Sequence, residues 1–168
     1  MSDGSWKKTA VTFLVGAALG IAGGFALGIF VYPYIFLADI VATDRVENKA
    51  SRKVVASGSF VHANPRDPVH YGKGKVTVYQ GLVHLGADFE VGPGPKFHVY
   101  LVPERNVVPS TNVARTMYVD LGRLRAFRGS QNYPIPDGVD LSKYESVVIW
   151  CEQFGVLISP ATLKSSSE

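Results

Sequence analysis

One cysteine in 168 residues excludes a disulfide scaffold, because a lone thiol closes no intrachain bridge. It also excludes an internal dithiol cycle, since exchange needs a second sulfur. Charge of either sign is scarce: beyond Ala38 there are 15 basic and 13 acidic residues, with the basic ones scattered rather than aligned on a face. A nucleic acid partner is therefore not expected. The four histidines, His62, His70, His84 and His98, show no HxH, HExxH or i,i+4 spacing, so local spacing reveals no metal site. No carboxylate pair or Ser/His/Asp arrangement points to hydrolysis, and the Gly92-Pro93-Gly94-Pro95 run is turn chemistry rather than a phosphate loop, because no helix follows it.

What the chain has in excess is one apolar segment. From Ala10 to Ala38 run 29 uncharged residues, 22 of them hydrophobic. Without them the hydrophobic share falls from 46% to about 40%, an ordinary globular composition with room for one domain. The run exceeds both the roughly 20 residues needed to cross a bilayer and the apolar core of a cleavable signal, so it reads as a transmembrane helix. Trp6, Lys7 and Lys8 at its start and Tyr32, Pro33 and Tyr34 near its end place amphipathic rings and lysines at headgroup depth. A short tail with two lysines is expected to stay in the cytoplasm, with the rest exported from the cell membrane as a single-pass protein. Cleavage after Ala42 would release the domain, but retention as an anchor is the expectation. Gly16, Gly20, Gly24 and Gly28 recur every fourth residue, a small-residue stripe that predicts helix-helix contact in lipid, either as a homo-oligomer or on another membrane protein.

The organisation that follows is a tail at 1–9, a membrane helix at 10–38, a linker or short helix at 39–53, a β domain at 54–163 and a tail at 164–168. From Val54 onward, short β-branched and aromatic runs alternate with Gly, Pro, Asn and Asp, which predicts an all-β antiparallel sandwich or small barrel. Strands are expected at 54–61, 75–79, 82–89, 96–102, 116–121, 124–127, 147–151 and 156–159, with a loop over 129–143. Arg123 and Arg125 alternate with Leu124 and Ala126 as a solvated strand face would, which argues against an anion patch.

Cys151 ends Val147-Val148-Ile149-Trp150-Cys151, and strand alternation puts it on one face with Val147 and Ile149 and opposite Val148 and Trp150. Free cysteine is usually a small buried hydrophobe. A lone thiol in an oxidising compartment also has chemical uses: metal or haem ligation, sulfenic acid formation, or a mixed disulfide with a partner. His98, in Lys96-Phe97-His98-Val99-Tyr100-Leu101, shares a face with Tyr100. Haem iron could take His98 or Cys151 as an axial ligand, with Met117 and the other histidines equally open from sequence.

Several segments in order resemble one family. Gly58-Ser59-Phe60, His70-Tyr71-Gly72, Gly94-Pro95-Lys96-Phe97-His98-Val99-Tyr100-Leu101, Asp120-Leu121-Gly122-Arg123-Leu124, Gly129-Ser130-Gln131-Asn132-Tyr133 and Val148-Ile149-Trp150-Cys151 are similar in order and spacing to the DM-thirteen electron-transfer domain, over about residues 54–163. The chain looks like a bacterial single-domain, membrane-anchored member. The resemblance implies a redox role for Cys151, as a bare thiol or by holding a prosthetic group such as haem, and a membrane redox partner. Lys96 departs from the family's pattern, which often has an acidic residue there. The competing expectation is a cofactor-free surface module that binds protein or glycan and keeps Cys151 as core packing.

Overall fold

The computed structural model describes residues 3–32 and 39–166, so Pro33, Tyr34 and the end of the expected membrane segment lie outside the described residues. A helix α1 covers Asp3–Tyr32. Within it Trp6–Ile29 has a mean hydropathy of 2.0, and none of this stretch is buried by the rest of the chain. At 1.5 Å per residue those 24 residues span about 36 Å, more than a hydrocarbon core of about 30 Å, so the helix is long and apolar enough to cross a membrane. Phe13, Leu19, Ile21 and Phe25 are all exposed, which in water would be costly and in lipid is the normal state. A Cβ added at Gly16, Gly20, Gly24 or Gly28 would meet nothing within 4 Å among the described residues.

Ten strands follow among the described residues: β1 Val41–Thr43, β2 Val54–Phe60, β3 Gly72–Tyr79, β4 Leu82–Leu85, β5 Glu90–Val91, β6 Phe97–Val102, β7 Val119–Arg123, β8 Arg128–Pro134, β9 Ser146–Cys151 and β10 Val156–Ser165. Their order is β1-β8-β4-β3-β2-β10-β9-β6-β7, with β5 pairing β3 and β8. All pairs are antiparallel except β1 on β8. The architecture is the expected all-β, sandwich-like one. Strand β10 joins the two layers, pairing β9 through Thr162 and β2 from Leu163 to Ser165. Between the layers lies the main core, which includes Phe60, Val78, Leu85, Phe89, Phe97, Val99, Ile149, Cys151 and Ile158. A second, smaller core of Tyr100, Val102, Val107, Val113, Val148, Trp150 and Leu157 lies on the reverse face of β6 and β9.

Three expectations change. Val41–Thr43, inside the expected linker, is a strand: Asp44 forms an ion pair with Arg125 and accepts from the Asn132 backbone N–H at 2.9 Å, and Ser130 Oγ donates to the Asp44 carbonyl at 2.8 Å. Gly129, at φ +87°, permits this approach, because a Cβ there would stand 2.1 Å from the Ala42 carbonyl oxygen. The expected loop over 129–143 begins instead with β8, whose inward positions Gly129, Gln131 and Tyr133 alternate correctly although none carries an aliphatic side chain. The expected strand at 124–127 is a loop, because the Arg125 and Ala126 backbone N–H groups donate to Gln131 Oε1, both at 3.1 Å, rather than to a neighbouring strand.

Candidate functional site

The register of β6 against β9 sets what faces what: Phe97 opposes Cys151, His98 opposes Trp150, and Val99 opposes Ile149. Cys151 therefore points into the main core with Phe97, as alternation from Val147 requires. His98 points to the other face, 6.1 Å from the Tyr100 ring. The two candidate ligands stand on opposite sides of one sheet and cannot line one site.

Cys151 is 1% exposed and forms the floor of a cleft of about 550 Å³. Phe97, Val156 and the Pro93-Gly94-Pro95 turn make apolar walls, and the half-exposed Val69 and Phe154 sit at the opening. Gly94 lets the turn lie against the Phe97 ring, whose nearest atom would be 2.4 Å from a Cβ at that position. Cys151 Sγ donates to the Pro95 carbonyl at 3.3 Å. Burial pushes the thiol above its ordinary value, a shift opposed by the backbone N–H groups of Phe154 and Gln153 and reinforced by the Glu152 charge. The sulfur is thus protonated and shielded at neutral pH.

One wall of the cleft is organised by Asp67. Its carboxylate accepts from the backbone N–H groups of Val69 and His70 at 3.0 and 3.1 Å and lies 2.6 Å from His70 Nδ1. The His70 side-chain and backbone contacts hold the Asp67 carboxyl at about 2. Sequence reasoning did not single out His70 as a site residue. Its signal was the His70-Tyr71-Gly72 motif within the resemblance, while the distance in sequence from Cys151 hid that both line one cleft. The carboxylate fixes the ring through Nδ1 and leaves Nε2 for a ligand, the usual arrangement of a supported metal-binding histidine.

His98 belongs to a different cluster. Its Nδ1 lies 3.0 Å from Asp120 Oδ2 and its Nε2 3.5 Å from Glu152 Oε2. Tyr100 donates its phenol hydrogen to Glu152 Oε1 at 2.8 Å and stacks on Tyr118 at 4.3 Å between centroids. Burial and the Glu152 carboxylate hold the Tyr100 phenol far above its ordinary value, and the Tyr100 hydroxyl, followed by Lys96, holds Glu152 below its own. The other sequence candidates are scattered: Met117 is 77% exposed, His62 binds the Asp67 carbonyl, and His84 bonds Asn132 Oδ1 at 2.7 Å. Arg125 and Arg128 pair with Asp44 and Glu90, and Arg123 opposes His98 in the β6–β7 register.

A family model described as Electron transfer DM13 matches residues 66–163, more than half of the chain and all of the cleft-forming segments from Asp67 to Val156. The chain belongs to the Electron transfer DM13 family. No curated protein and no solved structure matches it. For this DM13 domain, the haem that the sequence resemblance implies can be tested against the donor set of the cleft. An iron porphyrin needs an apolar slot and axial donors of nitrogen or sulfur. The cleft supplies a soft sulfur at its floor, an oriented imidazole in its wall and almost wholly apolar sides, and these residues fit the group.

Proposed function

We propose that this chain is a membrane-anchored electron-transfer module, exported from the cytoplasm, whose redox centre is the cleft floored by Cys151. The observation that carries the reading is the burial of the only thiol at the bottom of an apolar cleft of about 550 Å³. A thiol that exchanges disulfides with a protein partner needs access and a lowered pKa. Cys151 has neither, and as a ligand it would have to give up its proton on binding the metal. Haem is the group of choice, and when bound it supplies one-electron chemistry. The chain contributes the rest. Cys151 offers sulfur once its proton is released, Asp67 holds His70 in position through Nδ1, and Phe97, Phe154 and the prolines keep water out.

Lys7, Lys8 and Trp6 support an orientation with the N-terminus in the cytoplasm and the domain outside. The stripe of Gly16, Gly20, Gly24 and Gly28 is the surface by which α1 meets a second copy or a membrane redox partner. Leucine at both Gly20 and Gly24 should abolish association in a membrane two-hybrid assay, and an unchanged signal would refute that contact.

Burial of Cys151 also favours a second reading, a cofactor-free binding module in which the thiol is packing. One experiment separates the two. The full chain is purified in detergent, offered haem, and its absorbance read over about 350–600 nm, with thiol titration before and after denaturation. A Soret band, and a thiol protected further by the haem, support the redox reading. No band and a thiol protected equally with or without haem support the packing reading.

A further inference from the structure

We propose that His98, Asp120 and Glu152 form a binding site for a divalent first-row transition metal on the face of the β6–β9 pair opposite Cys151. The three come from β6, β7 and the residue after β9, and one ligand atom from each lies within 4.8 Å of the others. Separation in sequence by 22 and 32 positions makes the cluster invisible to any search for local ligand spacing. It is assembled by strand pairing alone.

The imidazole shows why a cation suits the cluster. His98 is wedged between two carboxylates, with Asp120 oxygens at 3.1 and 3.0 Å from Nδ1 and Glu152 Oε2 at 3.5 Å from Nε2. An imidazole offers a cation one ring nitrogen and keeps its N–H on the other for the facing carboxylate. A dication on that nitrogen, with one oxygen from each carboxylate, would draw its three ligand atoms from within 4.8 Å of one another and offset both acids. The His98 side chain is 15% exposed, so few waters compete for its ring nitrogens.

The carboxylates are aimed from behind. Tyr100 holds Glu152 by Oε1 and leaves Oε2 facing the histidine, while the Gly122 backbone N–H donates to Asp120 Oδ1 at 2.8 Å. Such outer contacts fix the orientation of ligating groups. Lys96 Nζ, 3.2 Å from Glu152 Oε2, supplies positive charge to the cluster in the metal-free state. With its side chain 52% exposed it can swing into solvent when a metal enters. One imidazole and two carboxylates suit Mn²⁺, Fe²⁺ or Zn²⁺ rather than copper or an all-oxygen Ca²⁺ site, and three protein donors leave positions for water. The site lies across the sheet from the cleft, so its failure leaves the haem reading untouched.

The test titrates the full chain in detergent with Mn²⁺ by electron paramagnetic resonance, and with Zn²⁺ by calorimetry. One saturable site is expected. His98→Gln and Glu152→Gln should each weaken binding by at least about tenfold. Lys96→Gln, a surface change that leaves the fold alone, should tighten it severalfold by removing the competing ammonium. His62→Gln should leave it unchanged. Absence of saturable binding below about 1 mM, or wild-type affinity in a folded His98→Gln variant, would overturn the site.

Discussion

Phe97 and His98 are consecutive in β6, yet one faces the Cys151 sulfur in an apolar cleft and the other faces two carboxylates on the reverse side. The same comparison holds along β9, where Cys151 belongs to the inner core and Trp150 to the outer. Period-two alternation thus keeps a soft, shielded donor and a hard, charged cluster apart while using a single pair of strands to position both. A single pair of strands in this way positions two clusters of unlike chemistry, linked only by the Glu152 charge that helps to raise the Cys151 thiol.

The strongest way to break this comparison is to hollow out each face in turn. Phe97→Ala and Trp150→Ala each remove a large buried ring and should each cost about 3–4 kcal/mol in urea unfolding. They should differ in the thiol. Phe97→Ala opens the cleft and makes Cys151 reactive in the folded protein, whereas Trp150→Ala leaves it masked. Equal reactivity in both variants would mean that the faces are not separate. Tyr100→Phe should cost about 1.5 kcal/mol, because it removes a hydrogen bond to a charged carboxylate, and should leave the thiol unaffected. Cys151→Ser should cost only about 1 kcal/mol, since the hydroxyl inherits the Pro95 carbonyl as acceptor.

The smallest effects concern pH, and they have opposite signs. Asp67, held at about 2 against an ordinary 3.8, adds stability above 3.8 that is lost as pH falls toward 2. Cys151, raised above an ordinary 9.0, adds stability below 9.0 that is lost as pH rises past it. Urea midpoints measured across pH should show the acid loss shrink in His70→Ala and the alkaline loss shrink in Cys151→Ala.

Much of the fold was legible because it is written in local patterns. The uncharged run marks α1, and alternation in 147–151 fixes which side of β9 carries the thiol. What escaped depends on long-range pairing. β1 is three residues long and earns its place only through β8 and the Asp44 contacts. Residues 124–127 alternate like a strand, but buried Gln131 takes the backbone donors of Arg125 and Ala126. Neither the opposition of Cys151 and His98 nor the placing of Cys151 and His70 in the lining of one cleft could be read before the β6–β9 register and the Asp67 loop were known.

Whether the Cys151 cleft is the redox centre is tested most directly by comparing two variants. Full chains carrying Cys151→Ala or His98→Ala are reconstituted with haem and their absorbance compared with wild type. The account predicts that the wild-type spectrum is lost or shifted in Cys151→Ala and retained in His98→Ala. An identical spectrum in Cys151→Ala, or failure of the wild type to bind haem at all, would contradict it.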